Sequence, residues 1–580
     1  CAAAGLVWVG PPAKAMATMG NKAQAKATVA AAGVPVLPGR VVGPADDDAA
    51  LSALGAEVGF PLLVKASAGG GGRGMRLVED PSGLAESVVA ARREAASTFG
   101  SDEVFLERFV PSPRHVEVQV VGDAHGSVLH LFDRECSVQR RHQKVVEEAP
   151  AAAVPDAARR VMWRAAVDAA RAVGYEGVGT VEFVVWGSEC AFLEMNTRLQ
   201  VEHGITELVT GVDLVALQLE VAAGRPLPFA QDEVRVAGHA IEVRLCAERP
   251  RQGYRPTPGR VMHARWPEGE GLRVDAGVET GSVVSAAYDS LVAKLMATGD
   301  RRDLALARLR HALAGPLEVD GLETNRELLA AILDDPDFAA GRTATDFLGR
   351  RPELAEARLE LAVRRRHAVA ASVFLEHLRV GTSLVPGVPA GWRNVGTAVH
   401  TDRFGDAEEQ VSVTLERAGR RLGVTVTGPG DAASVRTEVH ATVTLHPPGP
   451  EDAPTGQGPR GTVDLQTGGL VVRHRLRVHG HELGVSSAEG QSSLHVAADD
   501  DAEDLVATAG ECRAPLPGAV LEVLVTPGDE VADGSPLVVV EAMKMEHTLR
   551  ATGAGVVREV LVEAGAQVDA GELLVLVDPA

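Results

Sequence analysis

The chain has 580 residues, 45% of them hydrophobic, and its 57 Lys plus Arg stand against 79 Asp plus Glu for a formal charge of −22. That length predicts about three to five domains with ample core, and the acidic balance disfavours a nucleic-acid partner, whose phosphates call for a basic field. No apolar run reaches the roughly 18 residues of a membrane span, and the cysteines at 1, 136, 190, 246 and 512 show no C-x-x-C spacing, which fits a reducing compartment and argues against a zinc site.

The first apolar strand is expected in LVWVGPP from Leu6, after a short helical end that begins at Cys1 rather than at Met. Residues 22–345 then alternate helical and strand patterns, as in the helix KAQAKATVAAAG ending at Gly33 and the strand PLLVK after Phe60, so this region reads as α/β. The strand leads through Lys65 into ASAGGGGRG, residues 66–74, whose glycines let backbone N–H groups approach phosphate oxygens. The Gly-Lys-Ser/Thr of a P-loop is missing, and a flexible linker is the competing reading. FLERFVPSPRHVEVQV brings Glu107 and His115 to a strand, and DRECSVQRRHQKVVEE gathers Gln139, Arg140, Arg141, His142 and Lys144 inside an acidic protein. Such a basic cluster suits a phosphate or carboxylate, or is a solvated turn.

GTVEFVVWGSECAFLEMNTRLQVEH, residues 179–203, is the most informative stretch. A turn of Gly187, Ser188 and Glu189 centres a hairpin on Ser188 and sets Glu182 opposite Glu194. Opposed carboxylates call for a proton or a cation between them, and an oxygen-rich pair suits Mg²⁺ or Mn²⁺ held with nucleotide phosphates. Strand alternation would put Glu194, Asn196, Arg198, Gln200 and Glu202 on one face, a row suited to a small anion with Glu202 as its base.

A long Ala- and Arg-rich helix is predicted from about Pro352 to Val380 as a connector, with Leu359, Val363, Val369, Phe374 and Leu378 as its apolar members. Residues 409–428 and 461–486 alternate as β-hairpins around the loop HPPGPEDAPTGQGP, and Asp499 to Asp504 begins an acidic tether. Beyond it the chain repeats itself at an offset of 37: GAVLEVLVTPGDEVADGSPLVV from Gly518 returns as GVVREVLVEAGAQVDAGELLVL from Gly555. Two copies predict a flattened barrel of two similar sheets, joined by EAMKMEHT, residues 541–548, with Lys544 at the hairpin tip.

Residues 511–580 resemble a biotinyl carrier domain, with Lys544 at the position of the biotinylated lysine. From about Leu6 to Leu348 the ordered motifs resemble an ATP-grasp biotin carboxylase, and the whole chain resembles the biotin-containing α subunit of an acyl-CoA carboxylase of methylcrotonyl or propionyl type. The resemblance implies a fold of α/β plus β domains: an N-terminal subdomain remnant at 1–21, an ATP-grasp and C-terminal carboxylase unit at 22–350 with a lid at about 37–109, a connector helix and β domain at 351–496, a linker at 497–510 and the carrier at 511–580. It also implies an incomplete N-terminus.

For the site, the resemblance implies that Lys22, Lys65, Gly71, Gly72, Gly74, Glu107, Arg108, Val110, His115, Gln139, His142, Glu182 and Glu194 bind ATP. Glu182, Glu194 and Asn196 would hold Mg²⁺ or Mn²⁺, and Lys144, Arg198, Gln200, Val201 and Glu202 bicarbonate. Arg198, Glu202, Arg244 and Lys144 are the implied catalytic set, with Arg244 stabilising the biotin enolate, and biotin is the cofactor on Lys544. Implied partners are a carboxyltransferase β subunit docking near GWRN, residues 391–394, a biotin protein ligase, and an acyl-CoA reached indirectly in a cytoplasmic or mitochondrial hetero-oligomer. Gly204, where the family commonly has proline, is expected to loosen the backbone after Glu202, and Arg108 stands for a common lysine.

Overall fold

The computed structural model describes residues 1–43, 46–67, 75–381, 398–405, 411–418, 421–427, 435–446, 458–467, 469–496, 510–515, 517–542, 545–569 and 571–579. The glycine loop with Gly71, Gly72 and Gly74, the GWRN run, the acidic tether and the pair Met543 and Lys544 lie outside the described residues.

Helix α1 (Lys22–Ala31) starts where the Asn21 side chain accepts the Gln24 N–H, and it stops before Gly33, whose φ of +81° needs a residue without Cβ. A four-stranded sheet follows, formed by β1 (Gly39–Val41), β2 (Leu62–Ala66), β3 (Arg76–Val78) and β4 (Val104–Arg108) in the order β1-β4-β2-β3. Helices α2 (Asp48–Val58) and α3 (Leu84–Phe99) pack on it through Leu51, Val58, Leu84 and Val88.

The larger sheet carries the candidate site. Its strands are β5 (Arg114–Gly122), β6 (Val128–Arg140), β7 (Gln143–Ala149), β8 (Gly177–Trp186), β9 (Glu189–Asn196), β10 (His239–Cys246), β11 (Leu272–Ala276) and β12 (Leu291–Gly299), ordered β11-β12-β10-β7-β6-β5-β8-β9 with antiparallel ladders. One face buries Val116, Val118, Val181 and Phe183 against the amphipathic helix α4 (Asp156–Ala172). Residues of opposite parity on β5, His115, Glu117 and Gln119, and Arg134 opposite Glu117 on β6, are buried too although polar. Polar groups lining the hidden face of a central sheet are stable only if they satisfy one another. A short strand β13 (Glu318–Asp320) pairs with His263–Arg265 at the edge of this unit.

Four expectations need correction here. Leu6 to Val9 form no strand and are exposed, from 40% for Val9 to 70% for Val7, since the segment has no ladder partner among the described residues. The helix expected from Pro352 begins at Leu361: Pro352–Glu356 is a 3₁₀ turn, Leu359 lies outside the helix, and α5 (Leu361–Gly381) is no mere connector. An eight-stranded meander curls round α5, formed by β14 (Ala398–Phe404), β15 (Val411–Ala418), β16 (Arg421–Thr427), β17 (Val435–His446), β18 (Arg460–Thr467), β19 (Leu470–His479), β20 (Glu482–Ser487) and β21 (Gly490–His495). Ala368, Ala370, Ala371 and Phe374 join Val413, Val463 and Leu483 in one core, because small residues let strands approach the helix closely. A Cβ at Gly461 would meet the Phe374 ring at 2.8 Å.

The third correction concerns the row after β9. The strand ends at Asn196, and Glu202 is the N-cap residue of helix α6 (His203–Thr210), so Glu194 to Glu202 do not share one strand face. The fourth is Gly204: it is buried within α6, and a Cβ there would meet Met296 Sδ at 2.5 Å, so the glycine accommodates a close neighbour rather than loosening a loop.

The C-terminal unit consists of two four-stranded sheets. Gly518–Val523 bulges at Leu521 and Gly555–Val560 at Arg558, again 37 positions apart, so the repeat extends to the irregularities of the backbone. Strands β22 (Pro536–Ala542) and β23 (Met545–Arg550) make the joining hairpin, with Ala542 opposite Met545.

Candidate active site

The β8–β9 hairpin brings the carboxylates together by a route different from the expected one. Its turn is the two residues Gly187 and Ser188, with Gly187 at φ +56°, so Trp186 pairs with Glu189 and Phe183 with Phe192. A bulge at Leu193 then shifts the register by one, and Glu182 does face Glu194. The two-residue turn β6–β7 consists of Arg141 and His142, both in the left-handed region at φ +46° and +66°, a strained geometry for residues with a Cβ. Beside it the Arg140 guanidinium lies 3.7 Å from the centroid of the Tyr254 ring.

At the centre is Lys144. Its Nζ donates to Glu202 Oε1 at 2.5 Å, to Glu182 Oε1 at 3.1 Å and to Glu117. Burial opposes its charge, but the surrounding anions outweigh burial and hold the ammonium well above the ordinary lysine range. Glu182 also accepts from Asn196 Nδ2 at 2.8 Å and Gln200 Nε2 at 3.0 Å, and hydrogen-bonds to His115 Nε2 at 2.8 Å. Its own burial is overcome by Lys144 and then His115, so its carboxyl stays well below the usual range.

Arg244 bridges Glu202 to a further carboxylate: Nε donates to Glu147 at 2.7 Å and Nη2 to Glu202 at 2.9 Å. Despite burial, Lys144, Arg244 and Arg134 keep Glu202 far below its ordinary pKa, so it is an anion held by three cations. Behind it Arg134, fully buried, donates to Glu117 and Gln119 at 2.6 Å each, to Thr206 at 3.0 Å, to Gln200 at 3.1 Å and to Thr180 at 3.2 Å. Five satisfied bonds explain how a guanidinium survives there.

A second cluster lies where α1 meets β2 and β4. Glu107, 1% exposed, pairs with both Lys65 and Lys26, and Lys22 lies 3.6 Å from Glu194. Three lysines share two carboxylates, an excess of cation in a buried place. Burial and then Lys22 pull Lys65 down to about 7, and Lys26 falls well below its usual range through burial, Lys65 and Lys22. The charges of Lys65, His115 and Lys22 also lower the exposed His142 after desolvation has done so, which puts that turn beside the cradle. An incoming polyanion would relieve this excess.

Most of the sequence-derived candidates converge on these two clusters. Gln139 is buried and pairs with Lys144 across β6–β7, and the Val201 carbonyl accepts from Lys294 Nζ at 2.7 Å. Arg198 is exposed, its Nη2 3.4 Å from Asn196 Oδ1. Arg108 packs its guanidinium against Gly59, and its backbone N–H donates to Pro38 O at 2.9 Å; Val110 is half-buried just after β4. Arg134, Glu117, Glu147 and Lys26 were missed, although HVEVQV and the charged triplet Asp133-Arg134-Glu135 inside an apolar strand carried the signal.

The donor set fits a hard divalent cation: Glu182 and Glu194 in opposed register with Asn196 beside them offer oxygen only. His115, Glu117 and Glu182 also put one ligand atom each within 4.8 Å of the others, where Lys144 supplies positive charge. The five cysteines are free, and among the described residues no helix is long and apolar enough to cross a membrane.

The family described as "Carbamoyl-phosphate synthase L chain, ATP binding domain" matches residues 21–230, "Biotin carboxylase C-terminal domain" residues 242–350 and "Biotin-requiring enzyme" residues 510–577. The mitochondrial methylcrotonoyl-CoA carboxylase subunit alpha of Dictyostelium discoideum is 36% identical over 95% of this chain and 79% of its own length. The propionyl-CoA carboxylase alpha chain of Ruegeria pomeroyi is 37% identical over 95% and 82%. Among solved structures, biotin carboxylase from Campylobacter jejuni superposes with a TM-score of 0.58 at 39% identity, covering 60% of this chain and 78% of that one. The chain belongs to the family of biotin-dependent acyl-CoA carboxylase α subunits, in which a biotin carboxylase and a biotin carrier share one polypeptide.

Proposed function

We propose that this chain uses MgATP and bicarbonate to carboxylate biotin attached to Lys544, for transfer to an acyl-CoA by a separate carboxyltransferase β subunit. The observation that carries the reading is the Lys144–Glu202–Arg244 chain of ion pairs beside the lysine cradle of Lys22, Lys26 and Lys65. One cluster suits the ATP phosphates, the other a small anion, and Glu182 belongs to both sides of the seam. Glu182, Glu194 and Asn196 would hold the divalent ion, which supplies charge neutralisation on the transferred phosphoryl group when bound.

The ion pairs that keep Glu202 ionised also keep it a weak base. Bicarbonate brings an anion that competes for Lys144 and Arg244, and this returns basicity to Glu202 as it takes the bicarbonate proton. Bicarbonate oxygen then attacks the γ-phosphorus to give carboxyphosphate and ADP, with Lys144 and the lysine cradle compensating the charge. Carboxyphosphate breaks down to CO₂ and phosphate beside the biotin ring; the released phosphate takes the ureido N–H proton, Arg244 stabilises the resulting enolate, and the ureido nitrogen attacks CO₂ to give carboxybiotin. Lys65, Glu107, His115, Gln139 and His142 with the 68–74 loop would hold ATP.

In this reading residues 22–350 are the carboxylase, 351–496 dock the β subunit, and 497–510 tether the carrier at 511–580, which a biotin protein ligase modifies. A bacterial cytoplasm suits the free cysteines. The test is ATP hydrolysis with free biotin, with and without bicarbonate, alongside streptavidin blotting of wild type and Lys544→Arg. Bicarbonate-stimulated hydrolysis and loss of the blot in the variant are expected. A biotinylated chain without such hydrolysis would leave a carrier and assembly role instead.

A further inference from the structure

Glu242 is a buried carboxyl group that no step above uses. It lies on β10 two residues before Arg244, so both side chains leave the same face of the strand, and the ladder sets it opposite Glu147 on β7 and Met296 on β12. It is wholly buried, and neither carboxyl oxygen has a hydrogen-bond partner. Glu147 has an unpartnered oxygen as well, Oε2.

The charges facing this group come from each neighbouring element: Glu147 on β7, Arg244 on β10 itself, Lys294 on β12 and Glu202 at the start of α6. Both cations are already engaged. Arg244 serves Glu147 and Glu202, while Lys294 lies 3.0 Å from Asp275 and donates to the Val201 carbonyl. An ionised Glu242 would be a third anion competing for Arg244, without one hydrogen bond to offset its burial.

We propose that Glu242 is a positioning residue that retains its proton over the working pH range, so that Arg244 keeps two counter-anions and stays available to the biotin ring. Burial, followed by the charge of Glu147, pushes its ionisation well above the usual carboxyl range, in keeping with this role. The group is neutral below that raised pKa. It becomes an anion above it and then draws Arg244 back into the sheet. The inference rests on the assignment of Arg244 to biotin.

The experiment compares wild type with Glu242→Gln, which fixes a neutral side chain of the same shape. Bicarbonate-dependent ATP hydrolysis with free biotin is followed from about pH 6 to about pH 10. The ratio of variant to wild-type kcat/KM for biotin should rise with pH, by about tenfold for each unit of unfavourable coupling relieved. Parallel alkaline limbs would overturn the proposal. Thermal unfolding over the same range gives a readout independent of catalysis. A carboxyl whose folded pKa is raised loses stability as pH climbs from its unfolded to its folded value, and glutamine does not. The variant should therefore gain in Tm on wild type as pH rises. A pH-independent Tm difference means no retained proton and overturns the proposal even if both proteins hydrolyse ATP; absence of hydrolysis in both, with the Tm trend present, instead removes the assignment of Arg244.

Discussion

Lys144 is the residue on which the charge balance turns, since one ammonium compensates Glu117, Glu182 and Glu202 at the junction of three strands and a helix start. Lys144→Met keeps the length of the side chain and removes only the charge. Uncompensated buried carboxylates cost about 3–5 kcal/mol, so a drop in unfolding free energy of that order is expected from urea titration at neutral pH. The gap to wild type should narrow as pH falls, because the freed carboxyls then take up protons that wild type refuses; a gap that stays constant would mean that packing, not charge, was lost. Lys65 gives a second residue-scale expectation. In the folded chain it loses its proton above about 7, whereas phosphate prefers the ammonium, so nucleotide binding above that pH should take up a proton. Calorimetry of ADP binding in buffers of different ionisation enthalpy should show the uptake in wild type and its absence in Lys65→Met. These single residues were legible in sequence when they stood in dense motifs, as Lys144 does. Arg134 is harder to read, because the charged triplet around it hints at burial while its five partners lie up to 72 positions away and no local pattern names them.

At the scale of elements, the β8–β9 hairpin shows how a correct pairing can follow from an incorrect turn. Placing the turn on three residues and omitting the bulge are each errors of one position, and they cancel at Glu182 and Glu194 but not at Phe183, which faces Phe192. The bulge therefore decides which side chains enter the site. Deleting Leu193 should remove it yet keep the register, since Glu194 then directly follows Phe192 and still falls opposite Glu182. We expect a folded chain with unchanged far-ultraviolet dichroism whose bicarbonate-stimulated hydrolysis stays within about tenfold of wild type; a loss of about a hundredfold or more would show that the bulge itself, and not the register alone, places the carboxylate. Helix α5 teaches the complementary lesson. Its alanines looked like the surface of a connector, because a helix with few large apolar residues gives no strong stripe, yet small side chains are what a sheet closing round a helix needs. The 37-residue repeat, by contrast, was readable because its Gly and Pro turns recur in the sequence itself, although each sheet also takes a short strand from the other copy: Gln567–Val568 pairs with Gly518–Val523, and Glu530–Val531 with Gly555–Val560.

For the whole molecule, the question is how the carboxylase unit is joined to the meander that follows it. The seam is polar. Arg477 on β19 donates from Nε to Asp320 at 2.6 Å, and its Nη1 lies 2.7 Å from Glu318; Arg475 and His263 add to Glu318 and His479 to Asp320, all at β13. Gln491 on β21 completes the seam with its side-chain amide, accepting the Val319 N–H at 3.0 Å and donating to the Val319 carbonyl at 2.9 Å, as a strand neighbour would. Both carboxylates are 1% exposed, and a Cβ at Gly484 would collide with Asp320, so the fit is close as well as charged. Despite burial, His263, Arg477 and Arg475 pull Glu318 down to about 2, and Asp320 is held well below the ordinary range by Arg477 and His479. The stability these groups contribute is therefore present above the unfolded carboxyl pKa and is lost as pH falls toward about 2. If the seam couples the two units, they unfold together at neutral pH and separately once it is broken. Arg477→Met strands two buried carboxylates, so calorimetry should resolve one transition in wild type and two in the variant, with the lower one belonging to the meander. Asp320→Asn measured alone and with Arg477→Met closes a double-mutant cycle, for which a coupling above about 1 kcal/mol is expected of contacting groups. A coupling near zero with a single transition in every variant would mean that the meander is held by its own core around α5, and that the polar seam only orients it.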